Sequence, residues 1–234
     1  MGKKYAEEDD IMWEQFRSII PICILIPHSK NLLRKVDDKH TYLDYINQGI
    51  KNLFNTLKKD ETISNLQAMI SVVSYNAKAE VVQDFVKLED LKDDFQIQES
   101  DLKDGCNLGL GISKAINQLE KIKHFYIEVG LDYYYPWLFI FTDGETDDLD
   151  TLKKAIDECL EFQVFALKSC VYVLTHEKDM EKETLNGLPN PIPLSLENIE
   201  NYFCYLDKRS GPPFEKENIE QDSADSDVWF DIDL

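Results

Sequence analysis

Apolar runs that alternate with helical stripes constrain the fold of this chain most strongly. Residues 21–26, 66–75 and 137–141 are apolar along most of their length, as is typical of strands buried on both faces. Between the first two runs, apolar residues recur every three or four positions, which predicts a helix over Leu43–Leu57. Strands that alternate with helices predict a mostly parallel central sheet with helices on both faces.

The same patterns continue to the end of the domain. We expect five further elements after the second strand: helices over 107–123, from Asp148 onwards and over 197–209, a strand over 170–174 and a short edge strand over 192–194.

One pair of strands breaks the parallel order. Residues 76–78 form a turn too short for a crossover, and another strand pattern follows at 79–86. Strands joined this tightly pair antiparallel. The sequence therefore predicts one antiparallel hairpin at the edge of the sheet.

Three polar loops follow from this arrangement. His28–Asn31 follows the first strand, Thr142–Glu145 follows the third apolar run, and Asp104–Gly109 opens a helix. Ligands of such sheets bind beyond the carboxyl ends of the strands. We expect the loops to meet there and to form the functional surface.

Composition argues against some classes of binding partner and indicates the cellular compartment. The 234 residues carry a formal net charge of −20, which disfavours binding to nucleic acid or to a membrane surface. No run has the length of a membrane span, and the polar start does not resemble a secretory signal. Five scattered cysteines, an odd number, predict reduced thiols, so we expect a cytoplasmic protein.

The chain divides into three parts. Residues 1–19 are a charged leader with a short helix, residues 20–210 form the domain, and residues 211–234 form an acidic tail. The tail ends in an aromatic segment that includes Trp229 and Phe230. Two interpretations stay open: a flexible tail, or one that docks in cis or in trans to cover these rings.

Three segments together resemble a known family. Val81–Phe85, Asp104–Gly109 and Tyr135–Glu145 occur in this order at suitable distances. They are similar to the von Willebrand factor A (VWA) domains of cytoplasmic bacterial proteins of the tellurium-resistance-associated type, and the resemblance spans about residues 20–209. It implies a three-layer, Rossmann-like VWA fold.

In that family the three loops form a metal-ion-dependent adhesion site whose cation accepts a partner's carboxylate. By position, Pro27 replaces the first aspartate, Ser29 is kept, Asn31 replaces a second serine, Cys106 replaces a threonine and Asp143 is kept. Magnesium requires near-octahedral oxygen ligation. The resemblance therefore implies a degenerate site without a tightly bound cofactor, in which Ser29, Asn31 and Asp143 would hold Mg²⁺ or Mn²⁺ weakly, if at all.

The substitutions allow two other chemistries. His28, Cys106 and Asp143 would lie at one cleft, either as a thiolate nucleophile with its base and acid or as a zinc site. Neither has a sequence signature. The simpler interpretation is drift at a site that no longer holds a cation, with Cys106 as a small buried side chain.

We therefore predict a non-enzymatic interaction module. The resemblance associates it with bacterial stress-response or defence systems and with a kinase, phosphatase or ATPase as partner. Lys30 is expected to offer a fixed positive charge to a partner carboxylate. The predicted binding surface, here called the rim, comprises His28, Ser29, Lys30, Asn31, Cys106, Asn107, Asp143, Glu145 and Thr146.

Overall fold

A six-stranded sheet forms the centre of the molecule. The structure is a computed structural model, and it describes residues 19–59, 67–91, 95–134, 136–164, 168–173, 188 and 192–193. The strands are β1 (Ile19–Pro27), β2 (Gln67–Tyr75), β3 (Ala79–Lys87), β4 (Trp137–Thr142), β5 (Lys168–Val173) and β6 (Ile192–Pro193).

The topology confirms the prediction of a mostly parallel sheet. The strand order is β3-β2-β1-β4-β5-β6. Strand β1 lies between β2 and β4 and is parallel to both, and the pairs β4–β5 and β5–β6 are also parallel. Strands β2 and β3 pair antiparallel, as the short turn between them requires. The hairpin therefore closes one edge of the sheet.

In the described part of the chain, three α-helices accompany the sheet: α1 (Tyr42–Lys59), α2 (Leu108–Val129) and α3 (Leu149–Val164). Helix α2 extends six residues beyond its predicted C-terminal end, since it ends at Val129 rather than at Lys123. Its buried face extends to Tyr126, and Gly130 ends it in the left-handed conformation with φ 69°. Gly130 is therefore the stop signal of this helix.

Alternating side chains of β1 divide the core into two layers. Ile20, Ile22, Ile24 and Ile26 pack in one cluster with the apolar stripe of α1. Cys23 and Leu25 point to the opposite face and pack in a second cluster with α2 and α3. This arrangement is the expected one for a sheet covered on both faces.

Helices α2 and α3 approach each other closely where both begin. A Cβ atom added to Gly109 would lie 2.6 Å from backbone atoms of Thr151 and Leu152. Only glycine allows this contact. It fixes the first turn of α2 against α3, and therefore fixes two of the three polar loops relative to each other.

No helix in the described part of the chain is long and apolar enough to cross a membrane. The leader, the helix expected over 197–209 and the acidic tail lie outside the described residues.

Candidate functional site

Backbone hydrogen bonds join the first and third polar loops at the carboxyl ends of the strands. The Lys103 N–H donates to the His28 carbonyl oxygen at 2.9 Å, and the Lys30 N–H donates to the Lys103 carbonyl oxygen at 2.9 Å. The His28 N–H also donates to the Tyr75 carbonyl oxygen at 2.7 Å. The loop after β1 is therefore fixed to the end of β2 and to the segment that precedes α2.

The third loop is joined in the same way to the loop after β4. The Cys106 N–H donates to the Asp147 carboxylate, and the Asp147 N–H donates to the Cys106 carbonyl oxygen at 2.6 Å. The Cys106 thiol donates to the Glu145 carbonyl oxygen at 3.2 Å. Asn107 caps α2 by accepting the Leu110 N–H at 3.0 Å. The thiol and the cap thus serve the local structure.

Asp143 is the most buried charged side chain of the rim. It directly follows β4 and is 1% exposed. Its Oδ1 accepts the Glu145 N–H at 3.1 Å, and its Oδ2 accepts a hydrogen bond from Arg34 Nη2 at 2.7 Å. A buried carboxylate needs a partner of opposite charge or several donors. Here the partner is an arginine that sequence reasoning did not select.

Arg34 follows a short 3-10 turn over Lys30–Leu33. Its Nε donates to the Asn31 carbonyl oxygen at 3.1 Å, and its guanidinium lies 5.2 Å from the centre of the Tyr42 ring. Nη1 lies 3.9 Å from a carboxylate oxygen of Glu145. These contacts direct the side chain back over the end of β4, so that the first loop also reaches the loop after β4.

Other predicted rim residues have local roles. Ser29 is buried, and its hydroxyl accepts the Asn31 N–H at 3.2 Å. Lys30 is exposed and pairs with Asp104 at 3.0 Å, away from Asp143. The Thr146 hydroxyl accepts the Asp148 N–H at 3.5 Å, a weak contact. The fixed positive charge at Asp143 is thus Arg34 and not Lys30.

Cys106 has the character of a buried thiol. Burial, and after it the nearby carboxylates of Asp143, Asp147 and Glu145, raise its pKa to about 12, against an opposing effect of Arg34. A nucleophilic cysteine requires the opposite shift. The side chain is therefore protonated near neutral pH.

His28 lies in a different electrostatic environment. Burial lowers its pKa, and the charged groups that act on it are Asp101, Lys103 and Glu80. The groups that act on Cys106 are those of the loop after β4 together with Arg34. The His28 imidazole and the Cys106 thiol are therefore influenced by different sets of charged groups.

The residues present do not fit a divalent metal. Both oxygens of Asp143 accept hydrogen bonds from the protein, and one of the donors is a cation. Pro27 supplies no side-chain oxygen, and Cys106 supplies a protonated sulfur. Magnesium requires several oxygen ligands in near-octahedral geometry. Within the described residues, no group of three or more His, Cys, Asp or Glu side chains is arranged to hold a metal ion.

Structure comparison identifies the fold. The chain is similar to the von Willebrand factor type A protein from Catenulispora acidiphila, with TM-score 0.54, 15% identity, and coverage of 82% of this chain but only 43% of the other. It is also similar to the SpRpn10 VWA domain, with TM-score 0.53, 13% identity, and coverage of 82% and 96% of the two chains.

A third similar structure is an aerotolerance-related membrane protein from Bacteroides fragilis, with TM-score 0.51, 14% identity, and coverage of 80% and 96%. No protein-family model matches the sequence, and no curated protein matches it either. At these identities the likeness establishes the VWA fold and nothing finer.

Arg34 and Asp147 contact the rim, and sequence reasoning missed both. Arg34 lies among Lys35, Asp37, Asp38 and Lys39, a mixed-charge run typical of a solvated loop. One signal was available: an aspartate at the end of a buried strand, without its usual metal, requires a basic partner. The segment after β1 offers Lys30, Arg34 and Lys35, and only the three-dimensional path of this segment selects among them.

Proposed function

We propose that this chain is a non-enzymatic protein-interaction module that binds its partner at the rim. The observation that carries the proposal is the rim itself: three loops, cross-connected by hydrogen bonds, present half-exposed polar side chains at the carboxyl ends of the strands. Fixed loops lose little conformational entropy when a partner binds, which favours their use as a recognition surface.

The cellular setting of this proposal comes from the sequence resemblance. Segments such as Asp104–Gly109 and Tyr135–Glu145 resemble those of cytoplasmic bacterial VWA proteins associated with stress response or defence. We therefore propose a cytoplasmic location and a partner such as a kinase, phosphatase or ATPase of the same system. The acidic tail would modulate binding in cis or in trans.

The proposed surface is tested by charge reversal at two matched lysines. Lys30 and Lys121 are both exposed, but Lys30 lies in the rim, whereas Lys121 lies on α2 about 20 Å further along the helix from its first turn at 1.5 Å per residue. A tagged full-length chain and the variants Lys30→Glu and Lys121→Glu would be used to isolate partners from cells of the source organism.

We expect one protein to be retained by the wild type and by Lys121→Glu but not by Lys30→Glu. Reconstitution with that purified protein would then give the affinities. A partner lost equally from both variants, or retained equally by both, would contradict binding at the rim.

A metal-binding adhesion module is the first alternative, and the metal titrations described below test it. A cysteine-dependent hydrolase is the more remote alternative, and the rim gives it little support. The Cys106 thiol is buried, and its proton is directed to the Glu145 carbonyl oxygen. We expect slow alkylation of Cys106 by iodoacetamide near neutral pH, measured peptide by peptide with mass spectrometry. Fast labelling with a midpoint below pH 7 would instead favour the hydrolase.

A further inference from the structure

The buried Asp143 carboxylate has a cationic partner, the Arg34 guanidinium. In the fold that this chain shares, the equivalent position is expected to serve a metal ion, but the residues here do not fit one. We infer that Arg34 is a tethered cation that takes the place of a divalent metal at Asp143, so that the rim keeps its structure in the absence of metal ions. The inference goes beyond the proposed function, and only its consequence for partner binding rests on that function.

Contacts at both ends of its loop fix the position of the Arg34 guanidinium. The Asn31 carbonyl oxygen accepts both the backbone N–H and the Nε–H of Arg34, each at 3.1 Å. The Arg34 carbonyl oxygen in turn accepts the Tyr42 N–H at 3.1 Å, and the Tyr42 ring lies beneath the guanidinium. The side chain is therefore held in place from both ends of the loop before it reaches Asp143.

The buried Asp143 carboxylate requires a counter-ion. Asp143 is 1% exposed, so water cannot solvate its charge, and its Oδ2 lies 2.7 Å from Nη2. An N–H donor with a full positive charge at this distance gives a strong, charge-assisted hydrogen bond. A metal ion at this oxygen would have to displace the guanidinium, which is covalently attached and therefore always present at high local concentration.

The net charge of the Arg34–Asp143 pair differs from that of a metal site. Arg34 and Asp143 together are neutral, whereas a divalent ion at one carboxylate would leave a net charge of +1. Glu145, whose carboxylate lies 3.9 Å from Nη1, adds a further negative charge at the outer side of the guanidinium. The centre of the rim thus lacks the excess positive charge with which a bound metal captures a partner's carboxylate.

The experiment is thermal unfolding of the full-length chain in EDTA and then in millimolar Mg²⁺, Mn²⁺ or Zn²⁺. An ion that binds only the folded protein raises the melting temperature by mass action. We expect the same melting temperature for the wild type in all four conditions. The variant Arg34→Met is expected to melt at a lower temperature, and the double variant Arg34→Met/Asp143→Asn is expected to recover part of that loss, because the stranded charge is then removed.

Two results would overturn the inference. One is a higher wild-type melting temperature in Mg²⁺ or Mn²⁺ that disappears in Asp143→Asn, which would establish a metal at this carboxylate. The other is an Arg34→Met variant that melts with the wild type, which would remove Arg34 as the counter-ion. If Arg34→Met does not fold, Arg34→Lys and the double variant are compared with the wild type instead. The inference then fails if the double variant does not fold either and a metal ion raises the melting temperature of Arg34→Lys.

The design separates this inference from the proposed function. Partner capture by the wild type, Lys30→Glu and Lys121→Glu is repeated in EDTA and in Mg²⁺. Loss of selective capture in every buffer, with the expected melting pattern intact, would refute the rim as a binding surface but leave Arg34 as the resident cation. Capture that requires Mg²⁺, with selective loss in Lys30→Glu, would support the interaction module and overturn the inference.

Discussion

Two ion pairs of the rim use the same chemistry in different surroundings. Arg34 and Asp143 meet at 2.7 Å, and their side chains are 47% and 1% exposed. Lys30 and Asp104 meet at 3.0 Å, and their side chains are 55% and 89% exposed. The distances are nearly equal, so the difference lies in what happens to each charge when its partner is removed.

At the exposed pair, water replaces the lost partner. At Asp143 it cannot, because the carboxylate ends a buried strand and lies under the guanidinium. The comparison indicates that burial of one partner, rather than the ion-pair distance, decides whether a charge pair has a structural role. Four predictions follow the comparison from its strongest consequence to its weakest.

Removal of the guanidinium should have the largest effect. Arg34→Met keeps the apolar stem but leaves Asp143 buried without its counter-ion, so we expect the free energy of unfolding to fall by about 2–3 kcal/mol. Urea denaturation measures this change. Lys35→Met is the matched control, since Lys35 is an exposed neighbour in the same loop. Equal losses in the two variants would show that the pair has no special role.

Removal of the carboxylate charge should cost less than removal of the guanidinium. In Asp143→Asn the side-chain oxygen still accepts the Glu145 N–H, and the half-exposed guanidinium turns to water. We expect a loss of about 1 kcal/mol in the same denaturation experiment. The specific prediction is that Asp143→Asn loses less stability than Arg34→Met. A larger loss of stability in Asp143→Asn would mean that Arg34, and not Asp143, is the charge that depends on its partner.

His28 tests the comparison at intermediate burial. Burial lowers its folded-state pKa below the ordinary value of 6.5, so the folded protein binds the proton less readily than the unfolded chain. The contribution of neutral His28 to the free energy of unfolding is fully present above pH 6.5. It is lost as the pH falls from there through the folded-state pKa. We expect a shallower decrease in the free energy of unfolding between pH 7 and pH 5, a window set by that ordinary value, in His28→Gln than in the wild type. Parallel pH profiles would contradict this.

The exposed pair should give the smallest effect. A double-mutant cycle with Lys30→Ala and Asp104→Ala is expected to yield a coupling energy of about 0–0.5 kcal/mol, which falls further at high salt. The same cycle on Arg34 and Asp143 should give a clearly larger value that depends less on salt. Equal coupling energies in the two cycles would remove the distinction between the pairs.

The framework of the fold was predictable because it depends on local periodicity. Strands β1, β2 and β4 were recognised from continuous apolar runs, and α1 from its stripe at steps of three and four. The hairpin followed from a turn too short for a crossover. Among the described residues the errors were at boundaries, such as the end of α2, where the left-handed residue Gly130 decided the stop and the buried Tyr126 lay beyond the predicted end.

The site was predictable only in part. The position of Asp143 at the end of a buried strand and the loss of an oxygen ligand at Pro27 could be read from the sequence. The separate environments of His28 and Cys106 could not, because neighbouring loops present side chains in directions that depend on their backbone paths. The bond between Cys106 and Asp147 joins residues 41 positions apart and has no local pattern.

The sequence by itself therefore determined the layers, the strand directions and the edge of the sheet at which the polar loops gather, because each depends on spacing along the chain. Only the tertiary structure decided which base neutralises Asp143. Lys30, Arg34 and Lys35 are equivalent as charges in the sequence. The 3-10 turn, the Asn31 carbonyl oxygen and the Tyr42 ring direct Arg34 to the buried carboxylate and leave Lys30 in solvent, and a desolvated charge is stabilised only by the partner that geometry brings within hydrogen-bond distance.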